Sequence, residues 1–224
     1  LTDSLSNSLI DRWTTVTGEL PPTARLLAVS KGHPAEAVRA IASLGQQAFG
    51  ESRLQEAVEK QALLSDLALQ WHFIGRLQSN KVRGVVKAFS VIHSVDSLAL
   101  AERISRIAGE ERCCPEILLQ VRFRDDPTKG GMEQPELLAA WPEFCALPAL
   151  RITGLMTMAP LGIEKDERQS LFLECRSLAD QLGLQECSMG MSGDWSEAAA
   201  AGSTWLRLGS AVFGPRVVPK AGAG

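Results

Sequence analysis

Short apolar runs and amphipathic stretches alternate along nearly the whole chain. The runs at residues 26–30, 48–50, 69–74, 89–93, 116–123, 150–158, 187–191 and 204–208 have the length and composition of buried β-strands. Between them, apolar residues recur at helical spacing over 34–44, 53–64, 80–87, 97–109, a stretch starting at Pro135, then 164–182 and 194–201. Ahead of the first strand, Leu5, Leu9, Ile10 and Trp13 form the apolar stripe of one more helix. Eight βα units in 224 residues predict an α/β fold: a single (β/α)8 barrel of the TIM type with an extra N-terminal helix. A doubly wound open sheet is the competitor, because periodicity does not give strand order. No linker rich in Pro, Gly or Ser divides the chain. Residues 1–216 are therefore expected to form a single domain, and 217–224, small and polar, a flexible tail.

Composition narrows the function classes. The chain is 45% hydrophobic and 22% charged, ordinary for a soluble protein with a real core. A net charge of −3 argues against a general nucleic-acid binder. No apolar run approaches the ~20 residues that span a bilayer, and residues 1–13 lack the layout of a secretory signal. A cytoplasmic protein without membrane contact is expected. Five cysteines at irregular spacing contain no C-x-x-C pair, so free, mostly buried thiols are expected. With only three histidines, no metal centre is indicated.

The chemistry concentrates at the carboxyl ends of the strands, the face where parallel barrels bind ligands. Lys31 ends the first apolar run, Leu26-Leu27-Ala28-Val29-Ser30-Lys31. A partly desolvated amine there can form a Schiff base with an aldehyde; a surface salt bridge is the alternative. The loops after the seventh and eighth strands, Met191-Ser192-Gly193-Asp194 and Leu208-Gly209-Ser210-Ala211, each join glycine to serine before a helical or turning segment. That pattern supplies amides and hydroxyls for a phosphate, so Ser192, Gly193, Gly209 and Ser210 are phosphate candidates. Taken singly, Ser192 also reads as a helix cap and Ser210 as a turn residue. Neither loop is a P-loop and no G-x-G-x-x-G occurs. Arg207, among apolar neighbours on the eighth strand, needs a partner for its charge, either a structural carboxylate or a ligand acceptor. His72 reads as a hydrogen-bonded core histidine or an acid–base group, and Lys81 as a helix-opening surface lysine or a functional one. Met156 and Met158 share one strand face, towards barrel or pocket. A Schiff-base lysine, a phosphate cup and a strand-eight arginine together suggest pyridoxal 5′-phosphate.

At this point the sequence resembles the pyridoxal phosphate homeostasis family, single-domain relatives of the alanine racemase barrel. The matching strings are Ala28-Val29-Ser30-Lys31, Phe49-Gly50-Glu51, Trp71-His72-Phe73-Ile74-Gly75 with Gln78, Asn80 and Lys81, and Ile92-His93-Ser94-Val95-Asp96. Later come Gly154-Leu155-Met156-Thr157-Met158, Ser188-Met189-Gly190-Met191-Ser192-Gly193-Asp194 and Arg207-Leu208-Gly209-Ser210-Ala211-Val212-Phe213-Gly214, so the resemblance runs from Lys31 to Arg216. The chain departs from the pattern at Ser52, where the family usually has asparagine. The resemblance implies the type III pyridoxal phosphate fold, with Lys31 in Schiff-base linkage, Arg207 facing the pyridine nitrogen, and Ser192, Gly193, Gly209 and Ser210 holding the phosphate. An arginine can only donate, so it leaves that nitrogen unprotonated and weakens carbanion stabilisation by the cofactor. The chain contains no tyrosine, and it ends soon after Arg216, where catalytic relatives add a second domain. The expectation is a monomer that binds, stores or delivers pyridoxal phosphate, with little or no turnover and no assigned catalytic residue. Its partners would be the cofactor, and apoenzymes or a regulatory protein. A weak amino-acid racemase and an aldolase-like enzyme acting on a sugar phosphate are the alternatives.

Overall fold

A strand turns successive side chains to opposite faces, and here each strand uses that alternation to serve two interiors. The computed structural model describes residues 3–126 and 128–215, with side chains from Ser8 onward. The Leu5 side chain, Arg216 and the expected tail 217–224 lie outside the described residues. After α1 (Asp3–Glu19) come β1 (Arg25–Val29), α2 (Ala35–Ala42), β2 (Ala48–Glu51), α3 (Leu54–Leu63), β3 (Gln70–Phe73) and α4 (Val82–Ala88). They are followed by β4 (Val91–Val95), α5 (Leu98–Glu110), β5 (Glu116–Arg122), β6 (Met132–Glu133), α6 (Gln134–Cys145), β7 (Arg151–Met156) and α7 (Lys165–Gln181). The last elements are β8 (Glu186–Ser188), α8 (Trp195–Ala200), β9 (Trp205–Leu208) and α9 (Ser210–Phe213).

The parallel strands run in the order β4-β3-β2-β1-β9-β8-β7-β5, and β4 pairs with β5 to close the ring. The open-sheet alternative is thereby removed. On β5, Ile117, Leu119 and Val121 face the helices, while Leu118 faces the lumen. On β1, Leu26 and Ala28 face outward and Leu27 inward. The outer shell is continuous and apolar, and each fully buried Leu or Phe in it stabilises the fold by roughly 1.5–3 kcal/mol. The lumen differs: its apolar content is split into two small clusters around Leu27, Ala48 and Trp205 and around Val91, Leu118 and Met156. Polar side chains fill the space between.

Most expected elements appear with ends displaced by a residue or two. The fourth strand is Val91–Val95, not 89–93. Phe89 instead caps α4, its amide bonded to the Val85 carbonyl, and its ring packs edge-on against Phe73 at 5.1 Å. The seventh expected strand stops at Ser188 because Gly190 turns the backbone to φ +83°. β6, two residues paired with the end of β5, has no counterpart in the hydrophobic pattern. All five cysteines are free, but only Cys175 and Cys187 are buried, so the expectation of mostly buried thiols does not hold. Cys113 and Cys114 lie between α5 and β5, and Cys145 ends α6.

The extra helix has a structural task. Leu9 and Val16 are buried against the core, and Arg12 reaches across to α9, where Nε donates to the Val212 carbonyl at 3.0 Å and Nη2 to the Phe213 carbonyl at 3.2 Å. It satisfies carbonyls that a helix end leaves unpaired. No helix among the described residues is long and apolar enough to cross a membrane.

Barrel closure also depends on Gly154. A Cβ there would sit 2.1 Å from the Glu186 carbonyl oxygen on β8, a backbone atom that cannot swing aside. Gly154→Ala is expected to destabilise by about 1–3 kcal/mol or more, as overpacking does. Urea unfolding of the purified variant measures it, and an unchanged midpoint would show that the β7–β8 contact is looser than described.

Candidate functional site

Because β1 and β9 are neighbours, with Ala28 opposite Leu208, the loops that leave their carboxyl ends emerge side by side. Lys31, two residues past β1, is half-buried. With Val29, His33, Gly209, Ser210 and Gly214 it lines a cavity of about 280 Å³. Gly209 lies close to the end of β1: a Cβ there would be 3.5 Å from the Val29 carbonyl oxygen, an ordinary van der Waals contact. His33 is buried beside the cavity with its ring stacked on Phe213 at 4.9 Å.

The two glycine–serine loops are joined to each other. The Ala211 amide donates to Ser192 Oγ at 3.3 Å, which leaves the Ser192 O–H as a donor. Ser192 is not the helix cap. Asp194 holds that position before α8, and its carboxylate accepts from the Met191 amide at 2.6 Å. Ser210 starts α9, directly after Gly209. Lys31, Gly209 and Ser210 therefore share one cavity, Ser192 is tied to its rim, and Gly193 is exposed next to it.

Lys31 is braced from outside the barrel wall. Glu51, the last residue of β2, is fully buried, and its Oε1 accepts from the Ser30 hydroxyl and from Lys60 Nζ, both at 2.7 Å. Lys60 also donates to the Ser30 carbonyl at 2.8 Å and to Glu56 Oε1 at 2.7 Å, using all three ammonium protons. Glu56 accepts from the Gly32 amide at 2.5 Å. Both residues flanking Lys31 are thus pinned by one charged network. Burial pushes the Glu51 carboxyl above the usual carboxylate range, outweighing the opposing pull of Lys60 and Ser30. Glu51 Oε2 is buried without a partner.

Arg207 points into the lumen and is buried. Nη1 donates to the Ser188 carbonyl at 2.6 Å and to Ser188 Oγ at 2.7 Å, and Nη2 donates to the Thr157 carbonyl at 2.9 Å. No carboxylate among the described residues forms an ion pair with it, so the structural salt bridge considered from sequence is absent there. Burial lowers its pKa from 12.5 to about 10, with the more distant Asp194 pulling the other way. Taking such a cation out of water costs several kcal/mol, offset here by charge-assisted hydrogen bonds of about 1.5–3 kcal/mol each.

His72 is a hydrogen-bonded lumen histidine. Its Nδ1 lies 2.9 Å from His93 Nε2, and His93 Nδ1 lies 2.8 Å from Ser188 Oγ. Burial lowers the His72 pKa from 6.5 to about 3 and holds that of His93 well below 6.5. Met156 packs in the lumen with Met158 against it, and both line a second cavity of about 190 Å³ at the mouth with Arg76, Asp96 and Gln120. Lys81 is exposed at the start of α4. Among the described residues no group of three or more His, Cys, Asp or Glu is placed to hold a metal.

The hydrophobic pattern did not single out Glu56, Lys60, Ser188, His33 or Arg12. Lys60 carried a usable signal: it stands four residues after Glu56 on a helix whose buried face it shares with Ala57.

The fold family is that of a known domain. A family model described as the alanine racemase N-terminal domain matches residues 6–217. The pyridoxal phosphate homeostasis protein of Synechocystis sp. strain PCC 6803 is 46% identical over 205 residues, 88% of this chain and 94% of that protein. The structure of PipY from Synechococcus elongatus PCC7942 with PLP bound superposes with a TM-score of 0.88 at 47% identity, covering 92% of this chain and 100% of that one. Alanine racemase of Clostridium difficile 630 shares the fold at a TM-score of 0.81 but only 14% identity, over 96% of this chain and 61% of that one.

Two consequences can be measured. Lys60→Met leaves Glu51 buried without its cation and is expected to cost about 3–5 kcal/mol. Adding Glu51→Gln should recover much of that loss, and additive losses in urea unfolding would refute the pairing. The histidines give a pH signature. Below pH 6.5 the unfolded chain takes up a proton at His72 that the folded state refuses until about pH 3. Stability therefore falls as pH drops through that window, by up to about 1.4 kcal/mol per unit from this group, with His93 acting in the same direction. Unfolding midpoints between pH 7.5 and 4.5 should show a shallower fall when both histidines are asparagine; equal slopes would contradict the burial of neutral imidazoles.

Proposed function

The chain belongs to the alanine racemase N-terminal domain family and, within it, to the pyridoxal phosphate homeostasis proteins, and on that premise we propose that it binds pyridoxal 5′-phosphate for storage or delivery. The observation that carries the reading is the meeting of Lys31 with Gly209 and Ser210 around one cavity, on a barrel whose β9 also carries a buried guanidinium. The parts suit the group. Lys31 supplies an amine for the aldehyde, and its flanking backbone is held still by the Glu51–Lys60–Glu56 network. Ser192, Gly193, Gly209 and Ser210 supply hydroxyls and backbone for the phosphate. Arg207, an obligate donor, would face the pyridine nitrogen.

When bound, the cofactor brings an electrophilic aldehyde and an electron-withdrawing ring. This chain's residues retain it rather than drive chemistry on it. Arg207, which can only donate, cannot stabilise a protonated ring nitrogen as a carboxylate would. His72 and His93 are committed to each other and to Ser188, and the 224 residues include no tyrosine. Little or no turnover follows, with an influence on vitamin B6 and amino-acid pools through the bound cofactor. Residues 1–216 act in this reading as a single domain and as a monomer in the cytoplasm, delivering to apoenzymes or answering to a regulatory protein. The names of the relatives, which describe homeostasis, support it.

The purified protein should be yellow, lose its visible band with borohydride and carry the reduced adduct on Lys31. Lys31→Ala should remove the reducible linkage and leave the fold intact. A colourless protein that cannot be reconstituted with pyridoxal phosphate, or an adduct on another lysine, would overturn the reading.

A further inference from the structure

Hydrogen bonds from Arg207 lead step by step to the floor of the barrel, and their direction is set by chemistry. A guanidinium only donates, so Ser188 Oγ accepts from Nη1 at 2.7 Å. Among the described residues, the neighbour able to take the Ser188 hydroxyl proton is His93 Nδ1 at 2.8 Å. That makes Nδ1 of His93 an acceptor and puts its single proton on Nε2, which donates to His72 Nδ1 at 2.9 Å. His72 in turn carries its proton on Nε2, a buried atom with no hydrogen-bond partner.

The opposite direction fails on two counts. It would make Ser188 Oγ accept twice and strand its own proton. It would also leave a bare lone pair at His72 Nε2, so that two buried groups rather than one would lack a partner. The guanidinium charge adds to this preference, since it polarises the serine O–H away from itself.

We propose that His93 and His72 are positioning residues for Arg207: both neutral Nε2–H tautomers, they hold the Ser188 hydroxyl turned away so that its oxygen always faces the guanidinium. With Thr157 gripping the other Nη atom, Arg207 has one allowed orientation. The inference rests on and deepens the cofactor reading, because a guanidinium fixed in this way would hold its remaining N–H groups in one place for the ring of pyridoxal phosphate.

The tautomers are read directly by ¹⁵N NMR of histidine-labelled protein prepared without cofactor. The expected spectrum shows unprotonated Nδ1 and protonated Nε2 on both residues at neutral pH. A proton on Nδ1 of either residue, or an imidazolium, would overturn the proposal. The second arm uses the cofactor. His93→Leu removes the acceptor for Ser188 and should weaken pyridoxal phosphate by about five- to tenfold, the loss of one hydrogen bond, and shift the visible band. His93→Asn keeps an acceptor at that place and should restore both. If the leucine variant does not fold, the wild-type tautomers still decide. A folded leucine variant with unchanged affinity and spectrum would reject the positioning role. The assigned tautomers in a protein that takes no pyridoxal phosphate would uphold the hydrogen-bond direction and reject the cofactor reading instead.

Discussion

A guanidinium placed inside a barrel must be met by acceptors, and the lumen is arranged around that requirement. The Arg207 donors go to the Ser188 carbonyl and hydroxyl and to the Thr157 carbonyl. Supplying them brings the ends of β7 and β8 in close to β9 and excludes apolar filling at that level. The small Leu27–Ala48–Trp205 and Val91–Leu118–Met156 clusters are what remains of the hydrophobic lumen. In many barrels the interior is closed by layers of branched apolar side chains. Here stability is shifted outward, to the apolar shell between strands and helices, and the interior is given over to holding one cation in one pose.

On the other side of β1 the same problem is solved with charges. Glu51, Lys60 and Glu56 lie between the strand ends and α3, and they fix Ser30 and Gly32 on either side of Lys31. A neutral brace would hold the loop as well, but removing one member of a buried ion pair costs far more than removing one neutral hydrogen bond. The loop carrying Lys31 is therefore stiff by construction, and freedom is left to the long lysine side chain. The Ser210 side of the cavity is stiffened differently. Arg12 of α1 caps α9, and Ser192 ties the two glycine–serine loops together. Each wall of the cavity has its own anchor in a distant part of the chain.

How much of this could be read from sequence follows from the range of the interactions. Strand alternation is local, so eight βα units were legible, and His72 and Arg207 could be read as buried polar groups in need of partners. Phe89 misled because a large apolar residue at a helix end looks the same, over five residues, as one opening a strand. Ser192 taken singly read as a cap and only the pair of loops pointed to a ligand, since its partner, the Ala211 amide, is nineteen positions away. The Glu51–Ser30 bond spans twenty-one positions and the Ser188–His93 bond ninety-five. Neither spacing has a local signature. The resemblance located the strings that hold these residues without assigning a role to Glu51, His93 or Ser188.

The same electrostatics bear on why such a barrel would hold a reactive cofactor without spending it. A carboxylate opposite a pyridine nitrogen would keep it protonated and turn the ring into a strong electron sink. A guanidinium with neutral acceptors does the reverse, because it stays charged at neutral pH even with its pKa lowered to about 10. Converting the site would take more than an Arg207→Glu exchange. A carboxylate there would face the Ser188 and Thr157 carbonyls, two acceptors, with the Ser188 hydroxyl as the nearby donor. Unless the lumen were rebuilt, burial would force that carboxyl to keep its own proton. The acceptors that make the arginine tolerable thus make its acidic replacement costly. On the proposed reading, mild cofactor chemistry is a property of the whole barrel interior rather than of one residue.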